Sequence, residues 1–284
     1  MIYISTACFK SEKIKDIVEA IVRYGFKNIE LSGGTRYYPA LEFDLVELQK
    51  KYGLNFLIHN YFPPPQKDFV LNLASSNDDI YNRSIQQVQN AMQLAEKLNI
   101  EAVGIHAGFL VEPKLNEPGI PFVEQDIVPR IIALNKFADA LKVLFKASSN
   151  KKIYIENNVL SFVNHKAYKG TNPFLLTCNS DYCELYSKIK FNLLLDIAHL
   201  KVSCHTLNLD FKKELSSLIS KTDYLHLSDN DSLTDANEPM EQNSALCELL
   251  SKIDLKNKTI TLEINQDIDG MVNTYELLSK MMGS

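Results

Sequence analysis

Short apolar runs alternate with longer amphipathic stretches along the whole chain. The apolar runs occupy 2–7 (IYISTA), 27–31 (KNIEL), 54–59 (LNFLIH) and 100–106 (IEAVGIH), then 152–157 (KIYIEN), 192–198 (NLLLDIA), 223–228 (DYLHLS) and 258–264 (KTITLEI). Their length and β-branched content predict strands buried on both faces, as in parallel sheets. Helical periodicity fills the intervals 11–24, 41–51, 78–98, 122–145, 181–188, 210–220, 244–253 and 272–282. In the third of these, Ile85, Val88, Met92 and Ala95 recur at helical spacing, with N-cap residues offered by 75–78. Strict alternation implies parallel strands joined by right-handed crossovers, and eight such units point to a closed (β/α)8 barrel. An open doubly wound sheet is the alternative that alternation alone leaves. A barrel of roughly 250 residues commonly forms one domain, so residues 1–284 are expected to be a single domain.

The strand ends carry the candidate chemistry. Strand three ends in His59 and strand four in His106. Strand five ends in Glu156-Asn157-Asn158, strand six in Asp196 followed by His199, strand seven carries His226 and then Asp229, and strand eight ends in Glu263. In a barrel these C-terminal tips converge on one mouth, where active sites sit. Asp196 and His199 would point to opposite faces of a continuing strand, so the chain is expected to leave the strand after Asp196 and carry His199 on a loop. Each residue alone reads more readily as a satisfied strand-end, turn or cap residue, whereas six consecutive strands ending in His, Asp or Glu read as a site. Two long connections, 107–121 and 158–180, follow strand ends and should border it as binding or lid segments.

Carboxylates converging on a buried mouth raise one another's pKa unless a cation compensates. A divalent metal is the simplest compensation. Glu156, Asp196, His226 and Glu263 would supply three oxygens and one nitrogen, a set that suits Mn²⁺, Zn²⁺, Co²⁺ or Fe²⁺. His59 and His106 would either hold a second metal bridged by Glu156 or hydrogen-bond a polar substrate. Asn157 and Asp229 are candidate substrate contacts.

Composition narrows the partners. The net charge of −5 gives no general attraction for nucleic acid or anionic lipid. With four arginines, bidentate phosphate clamps are scarce. No apolar run approaches the ~20 residues of a membrane span. The five cysteines form no close metal-like cluster, and their odd number, together with an N-terminus that reads as a strand, points to reduced thiols in the cytoplasm. The oligomeric state is open.

With these residues assembled, the chain resembles the xylose isomerase-like TIM barrels, a superfamily that includes sugar isomerases, epimerases of the D-tagatose 3-epimerase kind, inosose-processing enzymes and endonuclease IV. The likeness runs from Asn28-Ile-Glu-Leu-Ser-Gly-Gly34 to Leu262-Glu-Ile264. Its most specific parts are the Glu-Asn of strand five, the Asp-x-x-His of strand six and the His-Leu-Ser-Asp-Asn of strand seven. The resemblance implies that Glu156, Asp196, His226 and Glu263 hold one catalytic divalent metal, with Glu156 and Glu263 as the acid/base pair and His199 contacting substrate oxygens. It implies a metal-dependent isomerase or epimerase that transfers a proton next to a sugar or polyol carbonyl through an enediolate.

The endonuclease IV branch of the likeness implies a second metal at His59, His106 and Glu156, and a third at His199 with an Asp-x-His motif. Here that motif reads Asp235-Ala-Asn237, which removes one third-site ligand and leaves His199 as a substrate-contacting or supporting imidazole. The segment 228–241 carries Asp229, Asp231, Asp235, Glu238 and Glu241 with no Lys or Arg, and Asp267 and Asp269 follow strand eight. Such a rim repels phosphate, so a neutral or modestly charged polyol is the expected substrate and nucleic acid is not. A phosphodiesterase like endonuclease IV, a keto-polyol dehydratase and a non-catalytic ligand-binding barrel are the alternatives.

Overall fold

The computed structural model describes residues 1–112, 126–148, 151–265 and 267–283. The eight strands are β1 (Ile2–Ser5), β2 (Asn28–Leu31), β3 (Asn55–His59), β4 (Ala102–His106), β5 (Lys152–Glu156), β6 (Asn192–Asp196), β7 (Tyr224–Leu227) and β8 (Thr259–Leu262). All neighbours pair in parallel, and β8 pairs with β1, so the sheet closes into a barrel in chain order. Closure removes the open doubly wound alternative.

Among the described residues the outer helices are α1 (Ile14–Arg23), α2 (Leu41–Tyr52), α3 (Asp78–Lys97), α4 (Arg130–Ala147), α5 (Phe162–Ala167), α6 (Asn179–Lys188), α7 (Ile197–Thr206), α8 (Phe211–Ile219), α9 (Ala245–Leu250) and α10 (Ile268–Met282). Asn77 caps α3 by accepting from the amides of Asp79 and Ile80, inside the stretch expected to supply the cap. Val88, Met92 and Ala95 are buried beneath that helix and Ile85 packs at its edge, which is the expected apolar stripe. The expected start of the fourth helix at Phe122 and the loop residues 113–121 lie outside the described residues.

Period-two alternation sorts the strand side chains into two sets. Ile4, Ile29, Leu31, Ile58, Val103, Ile105, Ile155, Leu195, Leu225 and Leu262 point outward and bury themselves against the helices. Tyr3, Leu57, Ala102, Tyr154, Leu194 and Tyr224 point inward and plug the lower barrel as a separate apolar cluster. Above that plug the inward positions turn polar, at the C-terminal ends of the strands. The barrel therefore has a closed, apolar floor and a polar upper chamber, and it is this floor that keeps the charged groups above it from the far solvent.

Gly104 is an inward position of β4 without a side chain. A Cβ there would stand 3.0 Å from both His59 Cδ2 and Leu194 Cδ2, so the glycine makes room for the His59 ring. Gly104→Ala is expected to push that ring from its place and to lower stability by about 1–3 kcal/mol, an overpacking cost read from the midpoint of a urea titration. A midpoint equal to that of the wild type would show that the chamber has slack.

The five cysteines are free. Four are buried and Cys183 on α6 is exposed. Cys8 sits in the β1–β8 seam, its thiol directed to the Leu262 carbonyl and its sulfur accepting from the Ile264 amide. Burial pushes that thiol up to about 12, with Glu263 adding to the shift. A colorimetric thiol titration of the native protein should thus show one fast-reacting group, Cys183, with the others appearing only on unfolding. No helix of the described residues is long and apolar enough to cross a membrane.

Candidate metal centre

Glu156, the last residue of β5, is fully buried at the centre of the chamber. Four imidazoles surround its carboxylate. His59 Nε2 lies 2.6 Å and His106 Nε2 3.3 Å from Oε2, while His226 Nδ1 lies 3.3 Å and His199 Nδ1 3.6 Å from Oε1. His59 and His106 stand at the tips of β3 and β4, and His226 projects inward from β7. Glu263, one residue past β8, meets the same His226 Nδ1 at 3.5 Å and accepts from the Ser5 hydroxyl at 3.1 Å. Its side chain is 15% exposed where that of Glu156 is wholly covered, so Glu263 is the carboxylate open to the mouth.

Asp196 is both the end of β6 and the N-cap of α7, its Oδ1 accepting the His199 amide at 2.7 Å. The expected loop after Asp196 is thus a helix, and His199 stands in its first turn. The turn back that separates the two residues from a common strand is made by the cap itself. His199 donates from Nδ1 to the Asn157 carbonyl at 2.8 Å and turns Nε2 toward Asp235 at 3.2 Å and Asp196 at 3.8 Å.

The chamber is electrostatically dense. Burial raises the Glu156 carboxyl, but His106, His59 and His226 override it and hold it well below the usual carboxylate range. Burial likewise raises Glu263, and the charge of His226 brings it down to about 2. Burial pushes Asp196 up to about 7; His199 opposes the rise, and Glu156 and Asp235 add to it. Burial lowers His106 to about 4 against the pull of Glu156, leaving a neutral imidazole near pH 7. Burial also acts against the charged forms of His226 and His199, yet the carboxylates facing them raise both well above the ordinary histidine range.

Compensation by a metal is therefore not the only way these carboxylates stay ionised, since the histidines already supply positive charge. Fit to a metal rests on two other observations. Glu156 Oε1 and His226 Nδ1 are buried, face each other across 3.3 Å and make no hydrogen bond. Together with Asp196 and Glu263 they offer ligand atoms that all lie within 4.8 Å of one another. Three carboxylates and an imidazole suit a divalent ion of the Mn²⁺ or Zn²⁺ kind. A second such group, His59, His106 and Glu156, shares the Glu156 carboxylate.

Asn157 and Asp229 are engaged with protein groups. Asn157 Oδ1 accepts the Asp196 amide at 2.8 Å and its Nδ2 donates to the Asp196 carbonyl at 3.0 Å, which ties the tip of β5 to the tip of β6. Asp229 accepts from Lys201 of α7 at 2.6 Å and from the Asn230 amide at 2.9 Å. Lys201 thereby supplies to the acidic 228–241 segment the cation it lacks in its own sequence. The neighbouring Asn158 donates to the carbonyls of Ala107, Gly108 and Leu175, and Phe109 bridges to Phe174, so the described parts of the two long connections are stitched to each other beside the mouth.

The composition of the chamber shows one residue that the strand-tip pattern passes over. Glu30, in the middle of β2, is completely buried and points inward beside His226. It also belongs to a third compact group with His59, His226 and Glu263. Its signal in the sequence is a lone acid between Ile29 and Leu31, at the inward phase of an otherwise apolar strand.

The fold and chamber define a closed (β/α)8 barrel whose buried His/Glu clusters are fit for a divalent metal. The match to the family described as xylose isomerase-like TIM barrel extends over residues 18–281, and the chain belongs to that family. Among curated proteins it is similar to a probable endonuclease 4 from a Sulfurihydrogenibium species, 25% identical over 169 residues, covering 57% of this chain and 53% of that one. The chain thus matches about half the length of that relative. Among solved structures it is similar to a D-tagatose 3-epimerase-like protein, with a TM-score of 0.73, 19% identity and coverage of 99% of this chain and 97% of the other. It is also similar to a 3-keto-D-glucoside 4-epimerase from E. coli, with a TM-score of 0.66, 12% identity and coverage of 100% and 99%. At these identities the structural likeness concerns the fold.

Proposed function

We propose that this protein is a divalent-metal-dependent isomerase or epimerase of a sugar or sugar derivative. The observation that carries the reading is the shared imidazole: Glu156 and Glu263, from opposite parts of the chain, meet the same His226 Nδ1 at 3.3 and 3.5 Å. Glu156, Asp196, His226 and Glu263 would hold the ion, and the unpartnered Glu156 Oε1 and His226 Nδ1 support that assignment. When bound, the ion would polarise a substrate carbonyl and stabilise negative charge developing on its oxygen.

The chain's own residues account for the proton movements. Glu263 reaches the mouth and is held by the Ser5 hydroxyl on Oε1, with Oε2 turned toward His226 Nδ1. Glu156 keeps Oε1 free of hydrogen bonds while Oε2 is anchored by His59. Two carboxylates ionised near neutral pH are a base on each side of a carbon next to a carbonyl. One removes the proton. The other, to return one, must first take it up from solvent at the mouth, as the partly exposed Glu263 can. The first releases its own proton before the next turnover. Return to the same carbon from the opposite face epimerises, and return to the adjacent carbon isomerises. The neutral His106, whose ring stacks on that of His199 at 5.8 Å and is partly exposed, can hydrogen-bond substrate hydroxyls.

The second reading is a metal-dependent phosphodiesterase, and the His59–His106–Glu156 group with the curated endonuclease 4 relative favours it. The acidic 228–241 segment weighs against it, because its lysine is already committed to Asp229. A panel of ketoses and an abasic DNA duplex, each incubated with the manganese- or zinc-loaded protein, separates the two. Interconversion of a ketose without strand cleavage supports the isomerase reading; strand cleavage alone contradicts it.

A further inference from the structure

Resting on the reading of His226 as a metal ligand, we infer that Glu30 is a positioning residue that holds the proton of His226 on Nε2 and so leaves Nδ1 as the ligand atom facing Glu156 and Glu263. The hydrogen bonds argue this directly. His226 Nε2 lies 3.0 Å from Glu30 Oε2, with both side chains fully buried. The same oxygen accepts from the hydroxyls of Tyr224 and Thr261, and Oε1 accepts from Ser32. Every neighbour of this carboxyl can donate to it, so it serves as acceptor throughout. A ring nitrogen facing it must then be the protonated one. In the neutral ring that a metal ligand requires, the other nitrogen keeps its lone pair, and that nitrogen is Nδ1, the atom that makes no hydrogen bond in the protein.

The surrounding shell is built to keep Glu30 in that role. Tyr224 rises from the same strand as His226 and Thr261 from the adjacent β8, while Ser32 is braced by Ser5, whose hydroxyl also reaches Glu263. The carboxyl of Glu30 thus links the apolar floor, through Tyr224, to two of the proposed ligands. Glu30 also falls within ligand distance of His59, His226 and Glu263. Its oxygens are already met by three hydroxyls and an imidazole, which is the saturation expected of an orienting carboxylate and not of a residue waiting for an ion. Such partners of ligating histidines typically change metal affinity by about 10- to 100-fold when removed.

The test compares wild type and Glu30→Gln for Zn²⁺ and Mn²⁺ affinity by competition with a chromophoric chelator, alongside stoichiometry by elemental analysis. It adds nitrogen-15 correlation spectra of the histidine rings in the zinc-loaded wild type. The inference predicts a loss of about 10- to 100-fold in affinity at unchanged stoichiometry. It also predicts a His226 ring proton on Nε2, strongly deshielded by its carboxylate partner. The ring spectrum of the wild type stands even if the variant fails to fold. Equal affinities, a stoichiometry lower by one ion, or a His226 proton on Nδ1 would each overturn the inference. Wild-type protein that takes up neither ion removes instead the metal reading on which the inference rests.

Discussion

Glu156→Gln and Glu263→Gln are each expected to lower turnover of an accepted sugar by about 10²- to 10⁴-fold, the range for removing a positioned acid or base. Glutamine keeps the size of the side chain and can still accept a hydrogen bond, but it cannot take a proton. The two variants should differ in stability. Glu156 is the carboxylate toward which four imidazoles turn, so neutralising it leaves those rings facing one another without their anion. Glu263 is partly exposed and loses one hydroxyl partner and the charge of one imidazole, so its replacement should lower the melting temperature by less than that of Glu156. Initial rates with a saturating ketose, paired with thermal melts, check both statements. Retained turnover in either variant removes that residue from the proton transfer.

Withdrawal of the divalent ion is expected to abolish turnover and to lower the melting temperature, both reversibly. An ion held at about 100 times its Kd contributes about 2.7 kcal/mol to the folded state. For a chain of this length that corresponds to about 4–5 °C. The physical source is the chamber itself: Glu156, Asp196 and Glu263 crowd beneath the mouth, and Asp196 in particular is pushed up by burial. Melting curves with a chelator, and again after adding back Mn²⁺, Zn²⁺ or Co²⁺ singly, give the size of the effect and rank the ions. Turnover and melting that ignore a chelator would contradict the metal-dependent reading.

The barrel was legible in the sequence because its strands are buried on both faces and its connections are amphipathic, so period and length alone separate them. The convergence of His59, His106, Glu156, Asp196, His226 and Glu263 was legible for a related reason. The strand tips of a closed parallel barrel share one end, whatever their distance along the chain.

What stayed hidden has physical causes too. Helix α7 follows β6 without a linker, and Ile197, Ala198, His199, Leu200, Val202, Ser203 and Cys204 are all buried, so no polar stripe marks it as a helix. Its cap, Asp196, reads as a site residue and not as a helix start. Helix α5 is short and rides on the 158–180 connection, where its pattern is too brief to stand out. Glu30 was missed because it lies within a strand and not at its tip. The bonds that occupy Asn157 and Asp229 depend on which backbone the folded chain brings opposite them, and no local pattern encodes that.

The central claim is that this chamber moves a proton on a carbon next to a carbonyl. Its most direct test is carbon-bound hydrogen exchange, followed by proton nuclear magnetic resonance in D₂O, with the metal-loaded protein and a panel of ketoses and keto-sugar derivatives. The account predicts that the C–H adjacent to the carbonyl of at least one of them loses its proton signal to deuterium, and that Glu156→Gln and Glu263→Gln suppress that loss. Absence of exchange across the panel, with the metal bound and abasic DNA cleaved, would contradict it.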